Sequence, residues 1–466
     1  MNLTEIELSI NNLHHGYRSN IFTPVDVVKE VYRRIARLGD AQIWTSIFPM
    51  EEALSCAAAL KKFSVQDLPT LYGVPFSVKD NIDVAHVKTT CGCEGFRRHP
   101  EKSAFAVEKA LVAGALYIGK NTLDQFATGL SGTRGLPKYP RNAFDDRYIS
   151  GGSSSGSALA VSLGVVTFSL GTDTGGSGRV PAAMNNIVGI KPSNGLVSSN
   201  GLIFNNRSLD CISIFSLSVA DGYNVLNVIR GFDESDEYSR IDSPDISLYA
   251  PTLGEFRFGI PDASHLNFFG DKLAELAFNK AVADLREIGG TPVVVDFSLF
   301  KEAGRLLFET GLLAERLVSY RHVLNDAPST LHPAVRKILE KGSRYKADEI
   351  FEAIYRLKGL RRDARELFKM FDILVTPTVG RAYTCDEVEK DQFAVNDNIG
   401  YYTYFVNPLN LCALALPASI RDDGLPFGIS VSSLFGKDGY LRSIGERFLC
   451  HIGLRGGLIN RVSEAE

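Results

Sequence analysis

The sequence predicts an α/β fold in which a large β-sheet is covered by helices on both faces. Short apolar runs, typical of buried strands, alternate with longer segments of helical periodicity along most of the 466 residues. There is also no internal repeat, no low-complexity tract and no clear interdomain linker in the sequence. We therefore expect one large domain rather than a series of small ones.

The N-terminal elements are predicted from capping residues and periodicity. The first 60 residues are expected to be helical, because Thr23 and Pro24 suit the N-cap and first position of a helix and apolar residues follow at helical spacing. The segments that follow are predicted, in order, as strand, helix, strand and Gly/Ser-rich loop: 71–80, 104–114, 115–120 and 129–157.

The later elements continue this alternation. Residues 157–177 predict a helix, a buried strand and a second Gly-rich turn. The remaining predicted elements are, in order, a helix, a strand, two further strands and a terminal helix: 273–288, 291–297, 371–378, 426–433 and 438–452. The polar stretch 231–250 is expected to be a surface excursion.

Composition and charge argue against several functional classes. Hydrophobic residues make up 45% of the chain, charged residues 22%, and the formal net charge is −4. This charge gives no electrostatic reason to expect nucleic acid or an anionic membrane as a partner. No apolar run reaches the ~20 residues that cross a bilayer, and no secretory signal is visible. With seven cysteines, an odd number, the chain is expected to be a reduced, cytoplasmic protein.

The first segment that carries chemistry runs from Gly73 to Asp83 and places Lys79 at the end of an apolar stretch. Burial disfavours the charged form of lysine, so a lysine held there has a lowered pKa and offers a neutral amine as a base. The alternative is a lysine whose stem lies along a strand end and whose ammonium reaches water. Taken alone, the segment favours this alternative.

Two Gly- and Ser-rich turns follow, Gly151–Ser157 and Gly171–Pro181. In the second turn, Gly175 and Gly176 let successive backbone N–H groups point into one small space, as an oxyanion hole requires, and Ser177 ends the turn. The alternatives are a flexible loop and a phosphate cradle. The phosphate cradle is disfavoured because neither common glycine-rich phosphate motif is present.

A serine nucleophile needs a base, and the candidates are a histidine or Lys79. None of the eight histidines lies between His99 and His265, although the fold could bring one close, and there is no G-x-S-x-G elbow. A buried lysine with two serines is therefore the better candidate for a proton relay. Asp173 and Arg179 flank the second turn and are expected to form an ion pair that supports it.

These residues resemble the amidase-signature family. Its pattern of a V-K-D-N segment, a G-G-S-S turn and a G-T-D-x-G-G-S turn is present here in that order. The resemblance implies that Ser177 is the nucleophile and that Ser153, which has an unusual cis peptide in that family, bridges Ser177 to Lys79. It further implies an oxyanion hole made by four backbone N–H groups, those of Thr174, Gly175, Gly176 and Ser177.

The same resemblance implies the amidase-signature fold, an α/β fold with a large mixed β-sheet covered by helices on both faces. A single domain is expected over residues 1–466, with 1–65 as a helical segment packed on it. The implied mechanism passes through an acyl-enzyme and requires no metal and no organic cofactor. The expected ligand is a small molecule, and the family resemblance suggests a homodimer.

Segments outside the core motifs resemble those of allophanate hydrolases within the family. The similar segments are Leu123–Leu130, Gly132–Arg134, Arg141–Asp145, Asn185–Gly189, Arg207–Cys211, Phe405–Leu414 and Gly424–Gly428. This similarity implies an amidohydrolase that cleaves the terminal C–N bond of a small ureido compound and releases ammonia. Four residues are expected to contact the substrate: Gln125, Gly129, Phe308 and Arg316.

One departure from that pattern keeps the substrate open. Allophanate hydrolases carry a Tyr at the position of Phe308, and there the Tyr and the residue matching Arg316 together hold the substrate carboxylate. The missing hydroxyl makes guanylurea, which has no carboxylate, the nearest alternative, with Glu309 or Glu315 as candidate partners for its positive charge. Biuret is a third substrate, whereas the retained Arg316 favours allophanate.

Two further expectations concern other domains and partners. Many allophanate hydrolases carry an additional C-terminal domain linked to decarboxylation of the product, and none is expected in this chain. A remoter alternative is an amidotransferase subunit, which feeds ammonia to a neighbouring protein.

Overall fold

The centre of the protein is an eleven-stranded mixed β-sheet, seen in a computed structural model that describes residues 3–39, 41–63, 67–135, 138–242 and 246–458. Its strands are β1 (Trp44–Ile47), β2 (Pro75–Lys79), β3 (Leu116–Asn121), β4 (Phe168–Asp173), β5 (Val188–Lys191), β6 (Cys211–Ser216), β7 (Phe256–Pro261), β8 (Gly290–Val295), β9 (Ile373–Pro377), β10 (Leu411–Ile420) and β11 (Pro426–Leu434). Across the sheet they lie in the order β1-β3-β2-β4-β6-β5-β10-β11-β9-β7-β8.

The strands pair in both directions. β2 is parallel to β3 and β4, and β7 is parallel to β8 and β9, whereas the central pairs from β4 through β6, β5, β10 and β11 to β9 are antiparallel. The predicted α/β class with a large mixed sheet is therefore confirmed.

Helices flank this sheet along the whole described chain. They are α1 (Ile10–Arg18), α2 (Pro24–Leu38), α3 (Met50–Ala59), α4 (Phe105–Val112), α5 (Ser155–Ser162), α6 (Val180–Met184), α7 (Val219–Ile229), α8 (Lys272–Glu287), α9 (Ser298–Glu309), α10 (Arg316–Asp326), α11 (Pro333–Gly342), α12 (Ala347–Leu367), α13 (Cys385–Lys390), α14 (Gln392–Gly400) and α15 (Asp438–Ile452). Among these described helices, none combines the length and the apolar character needed to cross a bilayer.

Both faces of the central strands are covered. Every residue of β2, β4, β6 and β9 is buried. Because successive side chains on a strand point to opposite faces, these strands must be packed on both sides. α5 packs against β2, β3 and β4, while α8 and α15 pack against β10.

The N-terminal segment is helical as expected except at one strand. Thr23 caps α2, accepting a hydrogen bond from the Asp26 N–H while the Asp26 side chain accepts one from the Thr23 N–H, and Pro24 is the first helical residue. However, Trp44–Ile47 forms β1, which pairs antiparallel with β3 at the sheet edge. The predicted domain 1–466 also includes residues 459–466, which lie outside the described residues.

The sheet brings the sequence motifs to one place. β2 and β4 are parallel neighbours, so their carboxyl ends meet at the same edge of the sheet. β2 ends at Lys79, and β4 ends at Asp173, directly before the second Gly-rich turn. α5 begins at Ser155, within the first Gly/Ser-rich segment and two residues before the end of the predicted loop.

Candidate active site

Lys79 lies at the end of β2, and its side chain is fully buried. Its Nζ donates to Ser153 Oγ at 2.8 Å and to Thr172 Oγ1 at 2.8 Å. Thr172, on the adjacent β4, also accepts a hydrogen bond from Asn81 Nδ2 at 3.3 Å. The amine therefore faces the two serine-bearing turns instead of water.

Ser153 connects Lys79 to Ser177. Ser153 Oγ donates to Ser177 Oγ at 2.8 Å, and the Gly152–Ser153 peptide bond is cis. A hydroxyl group both donates and accepts, so the same contacts can run in the opposite direction, from Ser177 through Ser153 to a neutral amine on Lys79. The structure thus brings the three residues predicted as a relay into one hydrogen-bonded chain.

The electrostatic environment favours a neutral lysine near pH 7. Burial lowers the pKa of Lys79 to about 7, while the nearby carboxyl groups of Asp124, Asp210 and Asp173 act to raise it. A general base works best when its pKa lies near the operating pH. Lys79 has that property, and it is within hydrogen-bonding reach of the relay serine.

The glycine turn after β4 presents backbone N–H groups beside Ser177. Within the part of the chain that the structure describes, the N–H groups of Thr174, Gly175 and Ser177 have no hydrogen-bond partner. The Gly176 N–H differs, because it donates to Asp173 Oδ1 at 3.0 Å. The predicted four-donor oxyanion hole therefore has three open donors, and Gly176 instead fixes the turn.

The position of Gly176 also admits only a residue without a side chain. Its φ of +138° is in the region that favours glycine, and a Cβ there would lie 2.4 Å from Thr403 Oγ1. Arg179 joins the two ends of the turn, because its Nε donates to Asp173 Oδ2 at 3.0 Å and its Nη2 donates to Asp173 Oδ1 at 2.9 Å. This bidentate pair is fully buried and confirms the predicted ion pair supporting the turn.

A small cavity of about 20 Å³ lies beside Ser177. Three of the four residues predicted to contact substrate line it: Gly129, Phe308 and Arg316. Thr174, Gly175 and Ser177, the residues whose N–H groups are open, line the same cavity. A space of this size holds about one water molecule, so the walls must move to admit any amide substrate.

Gln125, the fourth predicted substrate contact, has its amide bonded to backbone groups, and its contact with a substrate stays a prediction. Its Nε2 donates to Gly92 O and Thr330 O, each at 3.0 Å, and its Oε1 accepts from the His332 N–H at 2.7 Å. The amide is therefore used to join three backbone segments. Gln125 does not line the cavity beside Ser177.

Arg316 is a buried cation that faces the cavity. Its Nε donates to Asn206 Oδ1 at 3.0 Å, its Nη1 is buried with no hydrogen-bond partner, and its guanidinium lies 5.0 Å from the centre of the Phe308 ring. Burial lowers its pKa to about 10. Among the described residues, no carboxylate forms a salt bridge with Arg316, so the cavity has an unpaired positive charge in its wall.

The chain that carries Lys79, Ser153 and Ser177 matches a known protein family. The amidase family pattern matches residues 26–441 of the chain. The chain belongs to the amidase family. The family predicted from the sequence motifs is therefore confirmed.

The relatives of this amidase include longer proteins. It is 38% identical over 414 residues to the urea amidolyase of Saccharomyces cerevisiae, an alignment that covers 88% of this chain and 22% of the yeast protein. The chain thus spans about a fifth of the length of that relative. It is also 30% identical over 467 residues to a glutamyl-tRNA(Gln) amidotransferase subunit from an Exiguobacterium species, covering 94% of this chain and 96% of that protein.

A solved structure shows the same likeness. The allophanate hydrolase of Kluyveromyces lactis superposes on the amidase with a TM-score of 0.91 at 35% sequence identity. The match covers 97% of this chain and 75% of the K. lactis chain.

Several cavity residues of the amidase were not predicted from sequence. Tyr404 stacks at an angle on Phe308, with 4.4 Å between ring centres, and its hydroxyl contacts Asn396 Nδ2 at 2.7 Å. Ala127, Leu130, Asn205 and Leu307 complete the wall. Apart from Ala127 and Leu130, which are close to Gly129 in sequence, these residues come from segments that are distant in sequence and carry no local motif, so no sequence signal joined them to the glycine turns.

A larger outer chamber of about 330 Å³ adjoins the inner cavity and shares Phe308, Asn396 and Tyr404 with it. Four cationic side chains line this chamber against two carboxylates: Arg134, Lys301, Arg305 and Lys341 against Glu309 and Asp397. The three shared side chains therefore separate the reaction site from a positively charged approach.

One set of potential metal ligands is present in the described residues. Asp262, His265 and Asp296 place their ligand atoms within 4.8 Å of one another, and His265 Nδ1 already pairs with Asp262 Oδ2 at 2.6 Å. None of the three lines the cavity beside Ser177. The described residues of that cavity's wall include no comparable set of ligands.

Proposed function

We propose that the amidase hydrolyses the terminal amide of a small ureido compound that bears a carboxylate, with allophanate as the best fit. The observation that carries this proposal is Arg316, an unpaired guanidinium in the wall of the cavity beside Ser177. A buried cation without a partner is costly, and a substrate carboxylate would supply the missing acceptor. Similarity to the K. lactis allophanate hydrolase supports the same assignment.

The proposed mechanism begins with proton transfer along the relay. Neutral Lys79 takes a proton from Ser153, which takes one from Ser177, and Ser177 Oγ forms a bond to the terminal amide carbon. The carbonyl oxygen becomes an oxyanion held by open N–H groups of the glycine turn, where each such donor contributes a factor of about 10²–10³ in kcat. The relay then protonates the leaving nitrogen, the C–N bond breaks and ammonia departs.

Water completes the cycle. The relay removes a proton from a water molecule, which attacks the carbonyl carbon of the acyl-enzyme. The bond to Ser177 Oγ breaks and the serine regains its proton from Lys79 through Ser153. For allophanate, the products are ammonia and an amine that carries two carboxylates, and the enzyme returns to its starting protonation state.

The cationic alternative, guanylurea, has less support in the cavity. Glu315 accepts hydrogen bonds from the Ser208 N–H at 2.8 Å and the Ser208 Oγ at 2.7 Å. Glu309 is exposed and pairs with Arg305 at 2.7 Å. Neither carboxylate lines the inner cavity, so a positively charged substrate would meet Arg316 there without a compensating acceptor.

The decisive experiment is an ammonia-release panel with the purified chain. Allophanate and malonamate carry a carboxylate, biuret is the neutral counterpart of allophanate, and guanylurea is the cationic one. We expect allophanate to have the highest kcat/KM. Preferred turnover of guanylurea, or of biuret, would overturn the carboxylate assignment, and a requirement for a second protein would favour an amidotransferase-like role.

The role of the guanidinium is tested by Arg316→Met, with Arg316→Lys as the matched variant that keeps the charge. Losing a hydrogen bond to a charged group costs about 1.5–3 kcal/mol, so Arg316→Met is expected to lower kcat/KM for allophanate and malonamate by about 10- to 100-fold. The kcat/KM for biuret is expected to change much less. An equal loss on charged and neutral substrates would contradict a carboxylate contact.

A further inference from the structure

A buried carboxylate, Asp210, lies behind the cavity where three of its supporting segments meet. Its Oδ1 accepts from Thr174 Oγ1 at 2.5 Å, and its Oδ2 accepts from the Asn205 N–H at 2.6 Å and the Asn206 N–H at 3.2 Å. The side chain has little exposed surface and does not line the inner cavity. The proposed proton relay does not include Asp210.

Each partner of Asp210 leads to a different part of the site. Thr174 belongs to the glycine turn that supplies the open N–H groups. Asn206 Oδ1 accepts from Arg316 Nε at 3.0 Å. Asn205 Nδ2 donates to Phe126 O at 2.9 Å and to Thr128 Oγ1 at 2.7 Å. Both acceptors lie in the segment that leads to Gly129.

We propose that Asp210 is a positioning residue that fixes the oxyanion turn at a set distance from Arg316, so that both ends of one short, carboxylated ureido substrate are held together. This inference rests on the proposed function, because it assigns the two ends to an amide carbonyl and a carboxylate. A small rigid substrate makes such a link valuable, since a misplacement of about 1 Å can cost about 100-fold in rate.

Asp210 also acts on the relay through its charge. It is one of the carboxylates that raise the pKa of Lys79, so its removal is expected to lower that pKa further. Burial raises the pKa of Asp210 itself to about 7, so its negative charge is fully present only above that pH. The titratable groups that act on it or that it acts on are Lys79 from β2, Cys211 from β6, Arg316 and Tyr320 from α10 and Glu315 from the turn before α10.

Three single changes separate the two connections. Thr174→Val removes only the link to the glycine turn, and it is expected to lower kcat about tenfold on allophanate and biuret alike. Asn206→Ala removes the acceptor of Arg316 Nε together with the Nδ2 bonds to Leu312 O and Glu315 Oε2, in the turn directly before Arg316. It is expected to raise KM about tenfold for allophanate while leaving biuret nearly unaffected. Asp210→Ala is expected to show both effects, with a larger loss on allophanate than on biuret.

The conservative variant Asp210→Asn distinguishes a positioning role from a merely structural one, because it is expected to change the pH profile of kcat/KM while restoring most of the rate. An amide can accept from the two N–H groups and donate to the Thr174 hydroxyl, so most of the rate lost in Asp210→Ala is expected to return. Because the negative charge is gone, the acid limb of kcat/KM is expected to move to lower pH. Thr174→Ser is expected to recover most of the rate lost in Thr174→Val.

Asp438 offers a matched control. It is also a buried carboxylate, and it accepts from the Ser193 N–H at 2.9 Å and Ser193 Oγ at 2.6 Å, away from the cavity residues. Asp438→Ala is expected to lower the melting temperature without a difference between allophanate and biuret. Asp210→Ala behaving in the same way, with equal losses on both substrates, would overturn the proposal.

Labelling of Ser177 by a fluorophosphonate keeps this test separate from the proposed function. The reaction uses the oxyanion turn but no substrate carboxylate. Asp210→Ala and Thr174→Val are expected to slow labelling about tenfold, and Asn206→Ala to leave it unchanged. If the wild type labels but hydrolyses no ureido compound, the proposed function fails while the link to the turn stands; unchanged labelling in Thr174→Val and Asp210→Ala would overturn that link directly.

Discussion

At the scale of single residues, Lys79 depends on its burial to act as a base. A lysine in water is almost entirely protonated at neutral pH, whereas burial lowers the pKa of Lys79 to about 7. Since the neutral amine is the active form, kcat/KM is expected to rise with pH through an apparent pKa of about 7. A profile measured from about pH 5 to 9 by ammonia release checks this, and a flat profile would contradict it.

The free energy of unfolding is also expected to depend on pH through the ionisation of Lys79. The pKa of Lys79 is lower in the folded chain than in the unfolded chain, so the unfolded state binds more protons between about pH 7 and 10. The contribution of Lys79 to the free energy of unfolding therefore increases as pH rises through this range. The free energy of unfolding of Lys79→Met minus that of the wild type is expected to be highest near pH 6 and lowest near pH 10. Denaturant unfolding measures this difference.

Ser177 is expected to be indispensable for turnover but not for folding. Ser177→Ala removes the attacking oxygen and is expected to lower kcat by at least about 10⁴-fold, as for nucleophilic serines in general. The expected change in melting temperature is small, because only the Ser153 hydroxyl loses an acceptor. Ser162→Ala is a matched control: Ser162 is buried and donates to Asn185 O at 2.8 Å, and this variant is expected to stay active. Substantial turnover by Ser177→Ala would refute the nucleophile assignment.

At the scale of secondary structure, the sequence predicts six of the strands, and four of these are buried along their whole length. The six include β8, which is partly exposed, and the sequence misses β6, in which every residue is buried. β2, β3, β4 and β9 are short apolar runs with every residue buried, which gives a strong local signal. β10 is equally apolar, but Pro417 lies at a register shift in its pairing with β11, and a proline argues against a central strand. β1 and β5 have only four residues each, too few for a clear pattern.

In the candidate site, residues within short sequence motifs could be predicted, whereas residues that only the fold brings together could not. The relay residues lie in compact motifs, so their identity and the ion pair of Asp173 with Arg179 could be predicted. Ala127 and Gly129 line the cavity, whereas the amide of Gln125, close to them in sequence, bonds to backbone groups, an orientation that the sequence does not reveal. Tyr404 and Asn396 could not be predicted, because only the folded sheet brings them to Phe308.

The glycine turn is an element held by one ion pair, and this gives a stability prediction. Arg179→Met would leave Asp173 as a buried charge without its partner, a change that costs about 3–5 kcal/mol in comparable cases. We expect that loss in denaturant unfolding, together with a large loss of kcat, because the Asp173 carboxylate also holds the Gly176 and Gly178 N–H groups. Adding Asp173→Asn to this variant is expected to recover part of the stability; no recovery would contradict a charge-based cause.

At the scale of the whole molecule, the approach to the site has a charge opposite to that of the chain. The formal net charge is −4, yet the outer chamber has four cationic side chains and two carboxylates. Arg305 pairs with Glu309, and buried Arg134 bonds to backbone carbonyl oxygens. Lys301 and Lys341 are exposed at the chamber, where Lys341 Nζ donates to Phe308 O at 2.8 Å, and Asp397 is the second carboxylate. A local field of this sign attracts anions even when the net charge repels them.

This arrangement predicts a salt dependence that only anionic substrates share. Exposed charges are screened over about 8 Å at physiological ionic strength, so raising NaCl from about 20 to 500 mM is expected to lower kcat/KM for allophanate several-fold, mainly through KM. The kcat/KM for biuret is expected to stay nearly constant. Replacing Lys301 and Lys341 together by Glu is expected to remove or reverse the slope, whereas Lys102→Glu, an exposed change outside the chamber, is expected to preserve it. An equal salt slope for allophanate and biuret would show that the chamber does not attract substrate through its charge.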